Sequence, residues 1–129
     1  MYSSGPPIIA VFSFLGTLLS EAPREWTPLA KQGHADAQNK LGKMYQVGIG
    51  VPKNHKTAVK WYKLAVKQDH TKAQLAIGDM YGLGEGVPQD EKQAFKWYLL
   101  AAENGNPEGQ IWMGSYYSAG VFLAFFSFN

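Results

Sequence analysis

The sequence predicts an all-α protein, a right-handed α-solenoid of stacked antiparallel helix pairs. Three observations carry that prediction: self-similarity at a period of 36 residues, helical spacing of apolar residues inside each period, and a recurrent glycine-proline turn between the helices. Ala37-Gln38 recurs as Ala73-Gln74, Gly42 as Gly78 and Gly114, and Met44-Tyr45 as Met80-Tyr81 and then Tyr116-Tyr117. Gly48-Ile49-Gly50-Val51-Pro52 returns as Gly84-Glu85-Gly86-Val87-Pro88. Ala58, Lys60, Trp61, Tyr62, Leu64 and Ala65 return as Ala94, Lys96, Trp97, Tyr98, Leu100 and Ala101. A helix pair of this size cannot bury its apolar faces alone, so neighbours stack and share a continuous core.

Taken in chain order, the first segment is 1–22. Met1 to Ser20 carry no charged side chain, and Ile8 to Leu19 form an apolar run that ends near the small residues Ser20 and Ala22. This pattern fits an export signal, a retained first helix or a membrane anchor; the basic start of a signal peptide is missing, and the run is short for a membrane span. Export to a periplasm is the preferred reading and a cytoplasmic chain the alternative.

The repeat domain is placed at 23–121. Its opening part, 23–34, matches the end of a second-type helix over Arg24 to Gln32, with Trp26 one period before Tyr62 and with Pro23 and Pro28 expected to leave it short or bent. In the full unit 35–70, Ala37, Leu41, Met44 and Tyr45 lie at i, i+4, i+7 and i+8, one face of a first helix. Ala58, Trp61, Tyr62 and Ala65 then mark one face of a second helix. The unit 71–106 repeats the pattern, and Asn54 and Asp90 are expected to cap the two second helices. Gly42, Gly78 and Gly114 fall inside first helices, where glycine costs about 1 kcal/mol against alanine. Their recurrence implies close approach of a bulky ring, with Trp61 and Trp97 the expected partners.

The part-unit 107–121 contains a third first-type helix over Glu108 to Ala119 and the start of a turn at Gly120-Val121. Residues 122–129 are an apolar tail with Phe122, Phe125, Phe126 and Phe128 in place of a third second-type helix. Such a tail could cover Trp112 and Tyr116, form a homodimer, touch a membrane, or mark a shortened member of a longer protein.

These features together resemble the Sel1-like repeat family, relatives of the tetratricopeptide repeats. The resemblance spans Trp26 to Val121 and rests on the Gly-x-Gly-Val-Pro turns and the paired Trp-Tyr helices. Arg24-Glu25-Trp26 and Leu29 to Gln38 are similar to the opening of exported bacterial members. The resemblance implies a non-enzymatic adaptor that assembles other proteins. Members of the family work in membrane-protein quality control, in cell-wall synthesis, and in bacterial envelope signalling or host interaction.

The implied binding surface is the concave face lined by the first helices of each unit, where Asn39, Lys40, Lys43, Gln46, Leu75, Asp79 and Gly82 are the candidate contacts for a protein or peptide partner. Lys56, Lys60 and Lys63, within the run Lys53 to Lys67, form a basic stripe on the opposite side of a second helix and are a second candidate contact. Nucleic acid is not expected, because the net charge is only +2 and the next unit has Leu99 and Glu103 at positions matching Lys63 and Lys67. The alternative function is an exported or membrane-associated envelope protein that uses its apolar ends as contacts.

Catalytic, metal and cofactor sites are not expected. The chain has no cysteine, which removes thiol chemistry and thiolate metal sites. It also separates the chain from a cysteine-rich branch of the family linked to β-lactam binding, and no Ser-x-x-Lys pattern is present. Gly82-Leu83-Gly84-Glu85-Gly86 lacks the preceding strand and following Lys-Ser/Thr of a phosphate loop. His34 and His70 stand one period apart, which stacking would translate into about one helix-pair spacing, too far to share a metal ion. His55 is read as a lone surface residue, and Asp90 and Glu91 as a helix start rather than an acid-base pair. No serine lies in a recognisable triad motif.

Overall fold

A computed structural model of the chain describes residues 23–120, and every described element is helical. The candidate export segment 1–22 and the tail 122–129, with Val121, lie outside the described residues. Helix α1 covers 23–31, followed by α2 (Ala35–Val47), α3 (His55–Val66), α4 (Thr71–Leu83), α5 (Glu91–Glu103) and α6 (Pro107–Ser118). Helices α2 and α3 pack as one pair and α4 and α5 as the next, with α3 against α4 and α5 against α6 joining the layers. Pro28 does not end α1: the helix runs through it, the Thr27 hydroxyl donates to the Pro23 carbonyl, and Gln32 N–H donates to the Pro28 carbonyl at 3.1 Å.

The turn inside each pair is the same structure built twice. Gly48 ends α2 with φ of 85° and Gly84 ends α4 with φ of 71°, the left-handed conformation that lets the backbone N–H return to the Met44 or Met80 carbonyl. The chain then closes with Asn54 N–H donating to the Tyr45 carbonyl and Asp90 N–H to the Tyr81 carbonyl. Asn54 and Asp90 cap α3 and α5 as expected: Asn54 Oδ1 accepts from Thr57 N–H at 3.0 Å, and Asp90 Oδ1 accepts from Lys92 and Gln93 N–H.

Between pairs, the equivalent positions 33, 69 and 105 all take positive φ, as Gly33, Asp69 and Gly105. His34, His70 and Asn106 then stand at the N-cap positions of the three first-type helices. His70 Nδ1 accepts from Ala73 N–H while its Nε2 meets Asp36 Oδ1 at 2.7 Å, so one imidazole caps α4 and ties it back to the start of α2. That bond, with the charge of His70, holds the Asp36 carboxyl below its usual range.

Three apolar clusters succeed one another along the stack. Ala30, Ala37 and Leu41 receive Trp61; Ala58, Val59, Tyr62, Ala65, Ala73, Ile77 and Met80 receive Trp97; Leu75, Ala94, Phe95, Tyr98, Ala101 and Met113 complete the run. Each tryptophan of a second-type helix thus lies on a cluster that joins the first helix of its own unit to the unit before it. The ring over the helix glycine is the adjacent tyrosine, which corrects the expected pairing. A Cβ added at Gly42 would lie 2.6 Å from the Tyr62 ring, and one at Gly78 2.7 Å from Tyr98.

Buried amides link the layers as well. Gln38 Nε2 donates to the Ala30 carbonyl at 3.1 Å and Gln68 Nε2 donates to Gln38 Oε1; one period on, Asn104 Nδ2 donates to Gln74 Oε1. Both Gln38 and Gln74 are buried. Among the described residues no helix is long and apolar enough to cross a membrane.

Candidate protein-binding groove

Because the tyrosine ring crosses the helix glycine, its hydroxyl emerges on the far side of the first-type helix. Tyr62 O–H donates to Gln46 Oε1 at 2.7 Å, and Tyr98 O–H donates to the Asp79 carboxylate. Burial raises both phenols above their usual range, with the nearby Asp79 charge adding to the shift, so both remain neutral donors. Each pair therefore sends one polar group through its apolar core to the opposite face.

On that face lies a groove of about 490 Å³ that runs across α2, α4 and the start of α6. Helix α2 contributes Asn39, Lys43 and Gln46, and α4 contributes Lys72, Leu75, Ala76 and Asp79. Asn106 and Glu108 close the far end, and Tyr62 lies at the base. The Asp79 carboxyl is raised above its usual range, first by burial and then by the charges of Glu108 and Glu85, against the opposing pull of the Tyr98 hydroxyl bond and Lys43. The groove thus offers lysine ammoniums, carboxylates and side-chain amides above a small apolar floor. This mixture suits hydrogen bonding to an extended backbone with charged side chains at intervals.

Five of the seven candidate groove residues, Asn39, Lys43, Gln46, Leu75 and Asp79, line this one groove. Lys40 does not; its ammonium sits 3.8 Å from the centre of the Trp26 ring, a cation–π contact that ties α2 to α1. Gly82 lies in an adjoining depression that shares Asp79 and includes Tyr98, Trp112 and Tyr116. Lys56, Lys60 and Lys63 are exposed on α3, which contributes only Tyr62 to the groove. The groove also takes in Lys72, Asn106 and Glu108, which lie at the starts of α4 and α6 outside the sequence-predicted set. Lys72 precedes Leu75 by three residues and Asp79 by seven, so extending the helical spacing one turn toward the start of α4 points to it, and Glu108 is its equivalent one period along. Among the described residues no set of three His, Asp or Glu side chains converges to hold a metal ion.

Helix pairs stacked at a fixed period, with a groove across successive first helices, define an α-solenoid repeat protein. The Sel1 repeat profile matches residues 35–70 and 71–106, and the chain belongs to the Sel1 repeat family. Among solved structures, it is similar to the protective antigen c5321 of uropathogenic Escherichia coli, which displays the same repeat fold, with 38% identity, a TM-score of 0.73, and coverage of 78% of this chain and 22% of that one. A Sel1 repeat protein from Oxalobacter formigenes gives 37% identity and a TM-score of 0.74, covering 75% of this chain and 28% of the other. The cysteine-rich protein B of Helicobacter pylori, at 24% identity and a TM-score of 0.64 over 67% of this chain and 65% of its own, shares the fold. A Sel1-like repeat-containing protein of Acanthamoeba polyphaga mimivirus is 54% identical over 37 residues, which are 29% of this chain and 7% of that protein. The chain spans about a quarter or less of the Escherichia coli, Oxalobacter and mimivirus relatives. Sel1 repeat proteins are generally protein-interaction adaptors and typically non-enzymatic scaffolds.

Proposed function

We propose that this protein is an adaptor that holds an extended segment of a partner protein in the groove across α2, α4 and α6. The observation that carries the reading is the continuity of that groove over three successive repeats, with polar side chains from each along it. An extended strand of partner offers one donor and one acceptor per residue; the Asn39 amide can meet either, and Gln46 can donate through its amide N–H while its oxygen accepts from Tyr62. Asn106 holds the end of the groove in place, its oxygen capping α6 and its amide N–H donating to Thr71. Lys43 and Lys72 attract acidic side chains, while Asp79 and Glu108 attract basic ones, so the partner segment is one of mixed charge. The opposing basic stripe of Lys56, Lys60 and Lys63 is exposed, and a solvated helix face accounts for it.

Affinity capture from native-cell lysate and membranes tests this. The intact chain serves as bait beside two folded variants, Asn39→Arg with Lys43→Glu in the groove, and Lys56, Lys60 and Lys63 all changed to Glu on α3. A protein retained by the parent and the α3 variant but lost by the groove variant is expected. Loss only on the α3 variant would move the contact to the basic stripe, and capture of lipid alone would favour a membrane-associated envelope role.

A further inference from the structure

We propose that the depression beside the groove, between Asp79, Tyr98 and Trp112, binds the guanidinium group of an arginine carried by the partner segment. The inference rests on the reading of the groove as a protein-binding surface and adds the side chain that anchors the partner to it. The depression measures about 370 Å³ and adjoins the groove through Asp79. It lies where the second unit departs from the first. Gln46, whose oxygen accepts from the Tyr62 hydroxyl, is replaced one period on by Gly82, so a place taken by a side chain in the first unit holds none in the second. The Tyr98 hydroxyl donates instead to Asp79, which stands where the first unit has Lys43. Glu91 takes the place of His55, and Trp112 of α6 stands where α4 has Ala76. The first unit forms the same helix pair without these four residues, so the repeat fold does not require them at this spot.

Together the replacements make a site for a flat cation. Trp112 stacks on Tyr98 with ring centroids 5.4 Å apart and planes 9° from parallel, yet it remains 47% exposed. Tyr116 adds a third ring. Burial raises the Tyr98 and Tyr116 phenols and the charge of Glu91 adds to both, so the rings are neutral and lie within the field of a carboxylate. Asp79 Oδ1 accepts from Tyr98, and no hydrogen bond from a described residue reaches its Oδ2. The ion pairs among the described residues join His55 to Glu85 and His70 to Asp36, so neither Asp79 nor Glu91 has a cationic partner among them. A guanidinium meets both halves of the site at once: its plane stacks on aromatic rings, and the N–H groups in that plane donate to carboxylate oxygens. An ammonium answers the carboxylates but has no flat face for the rings, which selects arginine over lysine.

The probe is Nα-acetyl-arginine methylamide, titrated into the full chain and followed by heteronuclear NMR at the Trp112 indole N–H and the Gly82 amide. Saturable shifts are expected, with binding about tenfold weaker for the citrulline analogue, which keeps the shape and lacks the charge, and weaker also for the lysine analogue. Asp79→Asn, which keeps an acceptor for Tyr98, and Gly82→Gln, which restores the first unit's side chain, should each weaken the arginine probe by about tenfold. A Cβ at position 82 meets only Ala94, at 3.8 Å, so the fold accommodates Gly82→Gln, which circular dichroism checks. Absence of saturable shifts, lysine binding as tight as arginine, or arginine binding unaffected by both variants overturns the proposal. Probe binding does not depend on the capture of any protein, so failure of the groove reading leaves it unchanged. Conversely, a captured partner that is lost by the groove variant yet fully retained by Gly82→Gln and Asp79→Asn overturns the arginine anchor and leaves the groove reading standing.

Discussion

Gly42 and Gly78 act through the space above their Cα atoms. Each leaves room for a tyrosine ring whose hydroxyl is already held on the far side, by Gln46 or by Asp79, so the ring cannot move away from an added methyl group. Alanine at either position gains about 1 kcal/mol of helix propensity and loses about 1–3 kcal/mol to overpacking. Gly42→Ala and Gly78→Ala are therefore expected to destabilise the fold, while Gly114→Ala, where an added Cβ meets no described atom within 4 Å, is expected to stabilise it by about 1 kcal/mol. Urea unfolding of the three variants gives opposite signs if the rings are the cause and the same sign if helix propensity alone matters. The recurrence of these glycines was legible in the sequence, but their partner was not. Trp61 and Tyr62 are neighbours on one helix, about 100° apart around its axis, and both fit a broad apolar arc. Only the way α3 crosses α2 decides that the tyrosine faces the glycine and the tryptophan faces the junction of α2 with the preceding unit.

At the level of elements, caps and turns were the most legible parts, because a cap depends on a few consecutive residues. Asn54 and Asp90 precede their helices by one position and need no tertiary partner to be recognised. The turn between pairs is different, since its requirement shows only when equivalent positions are compared. Gly33 and Gly105 take φ of 99° and 86°, and Asp69 takes 57° at the position between them. An L-residue in this conformation costs about 1–2 kcal/mol, less for aspartate than for most residues. Glycine removes that cost but adds freedom to the unfolded chain, worth about 0.4–1 kcal/mol. Asp69→Gly is thus expected to stabilise by a few tenths of a kcal/mol and Asp69→Ala to destabilise by about 1 kcal/mol. Chemical denaturation should rank the three as Gly, Asp, Ala, and alanine equal to glycine would show that the turn relaxes out of this conformation.

In the whole molecule, each apolar cluster is built by two adjacent units, so the stack unfolds as coupled layers and a perturbation at one layer registers in the stability of all. The period was enough to foresee that stacking, and it also placed five of the seven candidate residues in one groove. Lys40 departs because Trp26 of α1 offers its ring face, a contact between units that no spacing within α2 encodes. Asp79 shows what else convergence adds: α4 brings this carboxyl under partial burial, α6 brings Glu108 toward it, and the turn after α4 brings Glu85. Tyr98 and Lys43 offset only part of the effect, and its folded pKa lies above the ordinary value of 3.8. The folded state therefore holds the Asp79 proton to higher pH than the unfolded chain, so stability from this site is full below pH 3.8 and is lost as pH rises through the folded pKa. Asp79→Asn retains an oxygen that accepts from the Tyr98 hydroxyl and removes the charge. It is expected to be more stable than the parent at pH 7, with the difference shrinking on acidification until the two unfold alike near pH 3, as about complete protonation of the parent requires. Thermal unfolding of both proteins from pH 3 to 7 measures this. A variant less stable than the parent at pH 7 would mean that the charge-assisted bond to Tyr98 outweighs burial and repulsion, and that Asp79 faces the groove as a carboxylate stabilised from within.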